Sequence, residues 1–566
     1  GPSRRRTALC AAAAFLLPLG LDLAGGRYLG SGDTAPAELL PIAILEHGTL
    51  SFDALVAPNE PLPYWFCRKN GRIVSNYPIL PGLLNVPVFA AAKLAGLPLD
   101  PWRFSLSLVT AAALAAFSVL FFFLALRHVC RSDGEALGFA LLYAFATEVW
   151  SVAGKGLFQH APSLFFLTLA LWLLLEDRPR ATALAGLALG LAVLSRPTNL
   201  LLAAPLAFYV FRRRRPGAFG FAALGAFAAL LHAAYAAAYW GNPFSSAQQL
   251  PPSSFSGSPV SGLAGLLASP SRGLLVFSPV LIFAIPAGVA AFRRSGDLLD
   301  RCLVLGVLLT LALYAHFRFW WGGHSFGYRL LIDLLPALVL PIARFWPEIA
   351  RSLAATALFA GLAGASIFIQ VLGAYEYPSG FNENIDREPE RLWQARGSEI
   401  PRLVRKLFAK AGLAAGPTPI AAGSALPPSR VPTPGPRWWS AAANDDGLQA
   451  FLEWPRQDAA VRGPLRVSGW AASPSGRVEV QILLSPGDHA IGVTRGARPD
   501  VCRVLPSLGD CSAAGFSASL PAPAAAREHL LVIELRGPGG RVRRLEPVRF
   551  FWRPEAPAPA GHKMAP

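Results

Sequence analysis

The feature that most constrains this chain is a succession of uninterrupted apolar blocks, each fifteen to twenty-five residues long, running from the N-terminus to about residue 373. Crossing a hydrocarbon core of roughly 30 Å takes about twenty residues of helix. The expected class is therefore a polytopic α-helical membrane protein, in keeping with 53% hydrophobic and only 15% charged residues. Eleven spans are expected, at 7–25, 103–126, 135–153, 160–175, 181–196, 198–211, 217–240, 273–292, 302–318, 328–344 and 352–373. The fifth and sixth are short and meet at Ser195-Arg196-Pro197-Thr198.

A net charge of +17 would suit a nucleic-acid partner, but the arginines sit at one end of successive apolar blocks. Arg4, Arg5 and Arg6, Arg127 and Arg131, Arg178 and Arg180, Arg212 to Arg215, Arg293 and Arg294, and Arg344 and Arg351 all fall on one side. The positive-inside rule makes that side the cytoplasm, with the N-terminus inside and, for an odd number of spans, the C-terminus outside. The bilayer, and no nucleic acid, is the expected partner. The first block has the shape of a signal peptide as well, but the loop after it is itself tied to the membrane. The opening Gly1-Pro2-Ser3 resembles a protease scar. High Ala, Arg, Gly and Pro with a single Met suit a GC-rich bacterial genome, so the bacterial inner membrane is the expected location.

Two large pieces lie outside the spans. The first outer loop, 26–102, carries an amphipathic stretch from Pro36 to His47 and an apolar stretch from Leu80 to Leu97 interrupted by Pro81 and Pro87. Such segments lie along an interface. Long aromatic and proline-rich loops between spans usually fold and work. After the last span, 374–437 is expected to hold a basic surface segment, Ile400 to Leu413, and then a Pro/Ala-rich linker. From 438 to 553 the pattern changes to period two, as in Leu465-Arg466-Val467-Ser468-Gly469-Trp470 and Leu530-Leu531-Val532-Ile533-Glu534-Leu535. That alternation predicts a small antiparallel β-sandwich, followed by a disordered tail at 554–566. Cys502 and Cys511 lie within it, on the side where disulfides persist, and are expected to be bonded. No cysteine or histidine spacing suggests a metal site.

Ionisable groups at membrane depth are costly and tend to be paired or functional. The topology puts Asp33, His47, Glu148, Lys155, His160, Arg196, His232, Arg272, His316, Arg318, His324 and Arg329 at the outer ends of spans. One carboxylate among several arginines and a lysine suits an anionic lipid headgroup: the guanidinium fork holds phosphate and the carboxylate takes a proton from an acceptor hydroxyl. Asp33 in Gly30-Ser31-Gly32-Asp33-Thr34-Ala35-Pro36 also has the chemistry of a helix cap. Arg196 reads equally as a snorkelling arginine, and His232 as a packed histidine on an Ala-rich face. The run from His316 to Arg329, with Trp320, Trp321, Gly322, Gly323, His324 and Gly327, reads as a shaped loop over a site.

These elements resemble the GT-C superfamily of membrane glycosyltransferases, which includes protein O-mannosyltransferases and aminoarabinose and arabinofuranosyl transferases. The resemblance rests on Asp33 early in the first outer loop, Tyr77-Pro78 and Pro81-Gly82, the Gly186 to Ala192 run ending at Ser195-Arg196-Pro197, and Trp321-Gly322-Gly323 to Gly327-Tyr328-Arg329 before Leu335-Pro336. It covers roughly 1–373. It implies a polyprenyl-phosphate sugar as donor, an envelope glycan, lipid or protein as acceptor, inversion at the anomeric carbon on the outer face, and Asp33 as base. Lys155, Arg196, Arg318 and Arg329 would hold the donor phosphate, and His47, Tyr77, His160, Trp321 and His324 would line the substrate. No second acidic residue adjoins Asp33, so neither metal nor other cofactor is expected. A lipid-linked oligosaccharide ligase and a polyprenyl-lipid flippase are the alternative readings. The tail resembles a β-sandwich module found after bacterial sugar-polymer enzymes, through Gly469-Trp470-Ala471, Arg498-Pro499-Asp500-Val501 and Gly515-Phe516. This implies glycan binding, while Trp470 itself reads first as a core residue.

Overall fold

The computed structural model describes residues 2–56, 62–245, 252–293, 298–382, 385–386, 388–410, 449–454, 459–462, 464–472, 478–485, 489–497, 512–521, 527–536, 542–544 and 548–553. The chain divides into two compact units, Gly1–Thr418 and Pro419–Pro566.

The first unit is helical. After α1 (Pro2–Ala24) come α2 (Ala35–His47), a hairpin of β1 (Phe66–Lys69) and β2 (Arg72–Ser75), α3 (Leu80–Leu94), α4 (Leu99–Leu126), α5 (Asp133–Phe145), α6 (Glu148–Ser151), α7 (His160–Leu175), α8 (Pro179–Ser195), α9 (Leu200–Arg213) and α10 (Arg215–Trp240). Then follow α11 (Pro259–Ala268), α12 (Leu274–Phe277), α13 (Ala284–Arg293), α14 (Leu298–Ala315), α15 (Leu335–Ile349), α16 (Leu353–Glu376) and α17 (Glu399–Lys410). Each expected span overlaps one or more of these helices. Six of these helices are long and apolar enough to cross a membrane, or seven if the bent pair Asp133–Phe145 and Glu148–Lys155 is one span. Phe122 and Phe123 of α4, Tyr143 of α5, Leu174 of α7 and Leu335 of α15 are fully buried in one core. By contrast Leu9 and Leu16 of α1 and Phe219 and Leu230 of α10 are exposed. On long apolar helices such faces meet lipid chains.

The glycine-rich run of α8 has a packing reason. A Cβ on Gly186 would lie 2.7 Å from the Phe221 Cα on α10, and one on Gly190 would lie 2.7 Å from the Ala228 Cβ. Small residues let the two backbones close up. Gly186→Leu is therefore expected to part α8 from α10 and lower the unfolding temperature in detergent, whereas Gly361→Leu on α16, with open space at its Cβ, should leave it unchanged. Overpacking of this kind costs about 1–3 kcal/mol.

The loop between α1 and α4 folds back on the helices. Asn70 and Gly71 both take positive φ, 46° and 71°, in the two-residue turn joining β1 to β2, where Lys69 pairs with Arg72. This is the geometry that suits the twist of a hairpin. α2 is more deeply packed than an interfacial helix: Glu38, Leu40, Ile42 and Ala43 are buried, and the buried Asn85 of α3 donates to Ala37 O at 3.1 Å and Ser107 Oγ at 2.9 Å. The basic segment forms α17, whose Leu403 is fully buried in the helical core.

The second unit is a two-sheet β domain. One sheet runs in the order β4 (Ala459–Arg462), β12 (Val548–Arg553), β10 (Arg527–Arg536), β6 (Glu479–Ser485), β7 (His489–Ile491), with β11 (Val542–Arg544) beside β10. The other runs β3 (Gln449–Trp454), β5 (Leu465–Ala472), β9 (Gly515–Leu520), β8 (Thr494–Gly496). Leu465, Val467, Ile482, Phe516, Leu531, Ile533 and Trp552 form its core, and Trp470 is buried. The pairing is antiparallel except between β12 and β4, which run parallel. These strands come from opposite ends of the domain, so no hairpin dictates their direction. Cys502 and Cys511, together with 498–501, 411–448 and 554–566, lie outside the described residues.

Candidate active site

Asp33 sits in the short loop between α1 and α2. Leu29 N–H donates to Lys155 O at 2.7 Å, Ser31 N–H to Thr34 Oγ1 at 2.9 Å, and Asp33 N–H to Ser31 Oγ at 3.1 Å. Gly32 is required by what covers it: the Trp65 ring and Tyr64 hydroxyl occupy the place of a Cβ. Thr34, not Asp33, is the residue preceding the helix. The Asp33 carboxylate instead accepts from Tyr64 Oη at 2.9 Å and Tyr77 Oη at 2.5 Å, both on Oδ1, and from Arg329 Nη1 at 2.7 Å on Oδ2. The hairpin accounts for the phenols. Tyr64 precedes β1 by two residues and Tyr77 follows β2 by two, and Asn76 Nδ2 donates across to Tyr64 O at 2.7 Å.

Burial pushes the Asp33 carboxyl up, but the Arg329 charge and the hydrogen bonds from Tyr77, Tyr64 and Arg329 outweigh it and hold the group below the ordinary carboxylate value. Burial and the neighbouring Asp33 charge push both phenols up, so they remain donors. Asp33 is an ionised, oriented carboxylate, and its side chain is 20% exposed.

Arg329 opens a 3-10 turn, Arg329–Leu334, and its guanidinium lies 5.5 Å from the centroid of the Phe158 ring. The preceding residue locks that turn: Tyr328 N–H donates to Glu148 Oε1 at 2.6 Å, and the Tyr328 hydroxyl lies 2.6 Å from Ser278 Oγ. Gly327, at φ 54°, must be glycine because the Glu148 carboxylate fills its Cβ position.

Behind Arg329 the same turn carries Asp333, which pairs with Arg196. Arg196 also donates to His160 Nδ1 at 3.1 Å and Tyr314 Oη at 2.8 Å. Lys155 is sealed against Asp22, with Nζ 3.2 Å from Oδ1 and 3.0 Å from the Asp22 carbonyl. On the loop over these residues, Trp321 Nε1 donates to Asp386 Oδ1 at 3.0 Å, and His324 Nε2 lies 2.9 Å from Asp386 Oδ2. The His324 hydrogen bond holds the Asp386 carboxyl below its usual value. Arg272, fully buried, braces that loop through Trp321 O at 3.1 Å and Gly323 O at 3.3 Å, and also donates to Ser271 O at 2.7 Å and to Asn382.

The expected residues thus separate into groups. Asp33, Tyr77 and Arg329 touch; Arg196 and His160 form one network around Asp333; Trp321 and His324 share Asp386; Lys155 belongs to a closed ion pair. His47 is exposed at the far end of α2, about 18 Å along the helix from Ala35, and Arg318 is exposed with its guanidinium 5.7 Å from the Phe319 ring. Among the described residues, neither joins the Asp33 cluster through a hydrogen bond or ion pair. His232 Nε2 lies 3.1 Å from Ser245 O. Tyr64, Asp22, Asp333 and Asp386 contact the expected residues and were not among them. Among the described residues no three His, Cys, Asp or Glu converge as a metal would need.

No family model matches the chain, and no curated protein matches it. Solved structures similar to it include the Archaeoglobus fulgidus oligosaccharyltransferase in the apo form, at 13% identity and TM-score 0.39, covering 76% of this chain and 61% of that one. The archaeal oligosaccharyltransferase AglB from the same organism, in complex with an inhibitory peptide and a dolichol-phosphate, is similar at 14% identity and TM-score 0.40, covering 76% and 60%. The chain spans about 60% of the length of these structures.

Proposed function

We propose that the helical unit is an inverting glycosyltransferase of the GT-C kind, moving a sugar from a polyprenyl-phosphate donor to a hydroxyl of an envelope glycan, lipid or protein at the outer face of a bacterial inner membrane. The observation that carries this reading is the Asp33 carboxylate, aimed by two phenols and set against one arginine where the folded outer loop meets the helices. Asp33 takes the proton of the acceptor hydroxyl. The acceptor oxygen bonds to the anomeric carbon on the face opposite the phosphate. The bond from that carbon to the phosphate oxygen breaks, its electron pair staying with the phosphate, which departs as polyprenyl phosphate. Arg329 neutralises the charge gained by the leaving group, the role in which a fixed cation contributes most. A single displacement inverts the carbon. The step as written uses neither nucleotide nor metal ion. The arginine clusters at the opposite ends of the apolar blocks support an outer-face reading through the positive-inside rule.

The test is donor turnover by detergent-purified protein, with released polyprenyl phosphate as readout and an envelope extract as acceptor source. Consumption of one polyprenyl-phosphate monosaccharide is expected. Turnover only of a diphosphate oligosaccharide would assign the chain to the ligases, and turnover of no donor would remove the enzyme reading.

A further inference from the structure

Three of the cations near the outer ends of the helices are paired with carboxylates before any substrate arrives: Lys155 with Asp22, Arg196 with Asp333, Arg329 with Asp33. A phosphate approaching any of these three cations must displace a carboxylate, and the three pairs are not equally open. The side chains are 0% and 2% exposed in Lys155–Asp22 and 9% and 6% in Arg196–Asp333, against 16% and 20% in Arg329–Asp33. The last pair is also the least complete. Arg329 engages Asp33 through Nη1 alone, and its Nε and Nη2 have no hydrogen-bond acceptor among the described residues. A guanidinium fork with two free donors is half of a phosphate site. Asp33, for its part, does not depend on Arg329 for its position, because Tyr64 and Tyr77 hold the other oxygen.

We propose that Arg329 is a shared cation: at rest it holds Asp33, and a phosphate headgroup draws the guanidinium away and frees Asp33 to act. The inference deepens the reading above and rests on it. Its consequence is ordered chemistry. Burial raises the Asp33 carboxyl and Arg329 lowers it, so once the phosphate claims the arginine the carboxylate becomes the stronger base. Acceptor activation then waits for the donor, and the phenols keep the freed carboxylate aimed.

The experiment is equilibrium binding of a short-chain isoprenyl monophosphate to the full-length protein and to Asp33→Asn, with the matching prenol and inorganic phosphate as further probes. Removing the competing carboxylate is expected to tighten prenyl phosphate binding about ten-fold, a change worth about 1.4 kcal/mol, and to leave the prenol unchanged. Arg329→Gln should lose the phosphate preference. An equal gain for inorganic phosphate would support the displacement and assign the site to free phosphate. Binding by Asp33→Asn that is equal to or weaker than wild type, or no phosphate binding by either form, overturns the inference. Should the asparagine variant elute aggregated, Asp33→Ser removes the same charge and carries the same expectation. Because the readout is binding, failure here is distinct from failure of the donor turnover assay.

Discussion

Asp33→Asn is expected to lower turnover of the lipid-linked donor by about 10²–10⁴-fold at saturating donor, the range lost with a general base, without raising KM for that donor. The amide still accepts from Tyr64 and Tyr77 but takes no proton, so orientation survives and chemistry does not. The combination is the informative part: a residue that only gripped the donor would raise KM when removed. The pH profile separates the roles further. In the free protein Asp33 sits below the ordinary carboxylate value, because the Arg329 charge and three hydrogen bonds outweigh its burial. The acid limb of kcat/KM, which reports the free enzyme, should therefore lie low. The acid limb of kcat should lie higher, since in the loaded state the arginine faces phosphate. Asp33→Asn should show neither limb. Stability follows the same group with a definite sign. A carboxyl depressed on folding stabilises above its unfolded value, and that contribution is lost as pH falls through the folded value. Full turnover by Asp33→Asn, measured as released polyprenyl phosphate, would end the assignment of Asp33 as base.

The helical class, the outer loop and the β domain were legible because each follows from local periodicity, and α2, α3 and α17 fall where their apolar patterns place them. Asp33 and Arg329 were each legible as costly charges near the membrane. Their pairing was not, since 296 positions separate them and no local rule spans that distance. The phenols show a partial miss. Asn70-Gly71 is a strong hairpin signal, and reading it would have brought Tyr64 to Tyr77 and both within reach of one partner. Asp22 and Asp333 were not legible as site residues because each lies inside an apolar block whose length dominates the local pattern. An acid within a span demands a cation, and asking which cation answers Asp22 would have moved Lys155 from a donor site to a structural pair. The Gly186 run carried a resemblance to transferases, yet its local cause is the close contact of α8 with α10.

Lys155→Met is expected to destabilise the protein by about 3–5 kcal/mol, because it leaves the carboxylate of Asp22 buried without its cation. Lys155 is fully buried, its Nζ donates to the Asp22 carbonyl and lies 3.2 Å from Asp22 Oδ1, and it lies 5.5 Å from the Tyr375 ring. A Cβ on Gly154 would meet the same carboxylate, so the end of α1 is pinned to the segment after α6. That joint matters for the site. Leu29 N–H bonds the Lys155 carbonyl, and the loop that begins there reaches Asp33 four residues later. The double change Asp22→Leu with Lys155→Met separates the two roles open to this lysine. Replacing both charges by apolar groups of similar size often restores or improves stability. If Lys155 braces the loop, the double variant should recover both the unfolding temperature and donor turnover, while the single variant loses both. If Lys155 held the donor phosphate, the double variant would regain stability and stay inactive. The sealed geometry, with 0% and 2% of the two side chains exposed, leaves no approach for a headgroup, so recovery of both is the expected result.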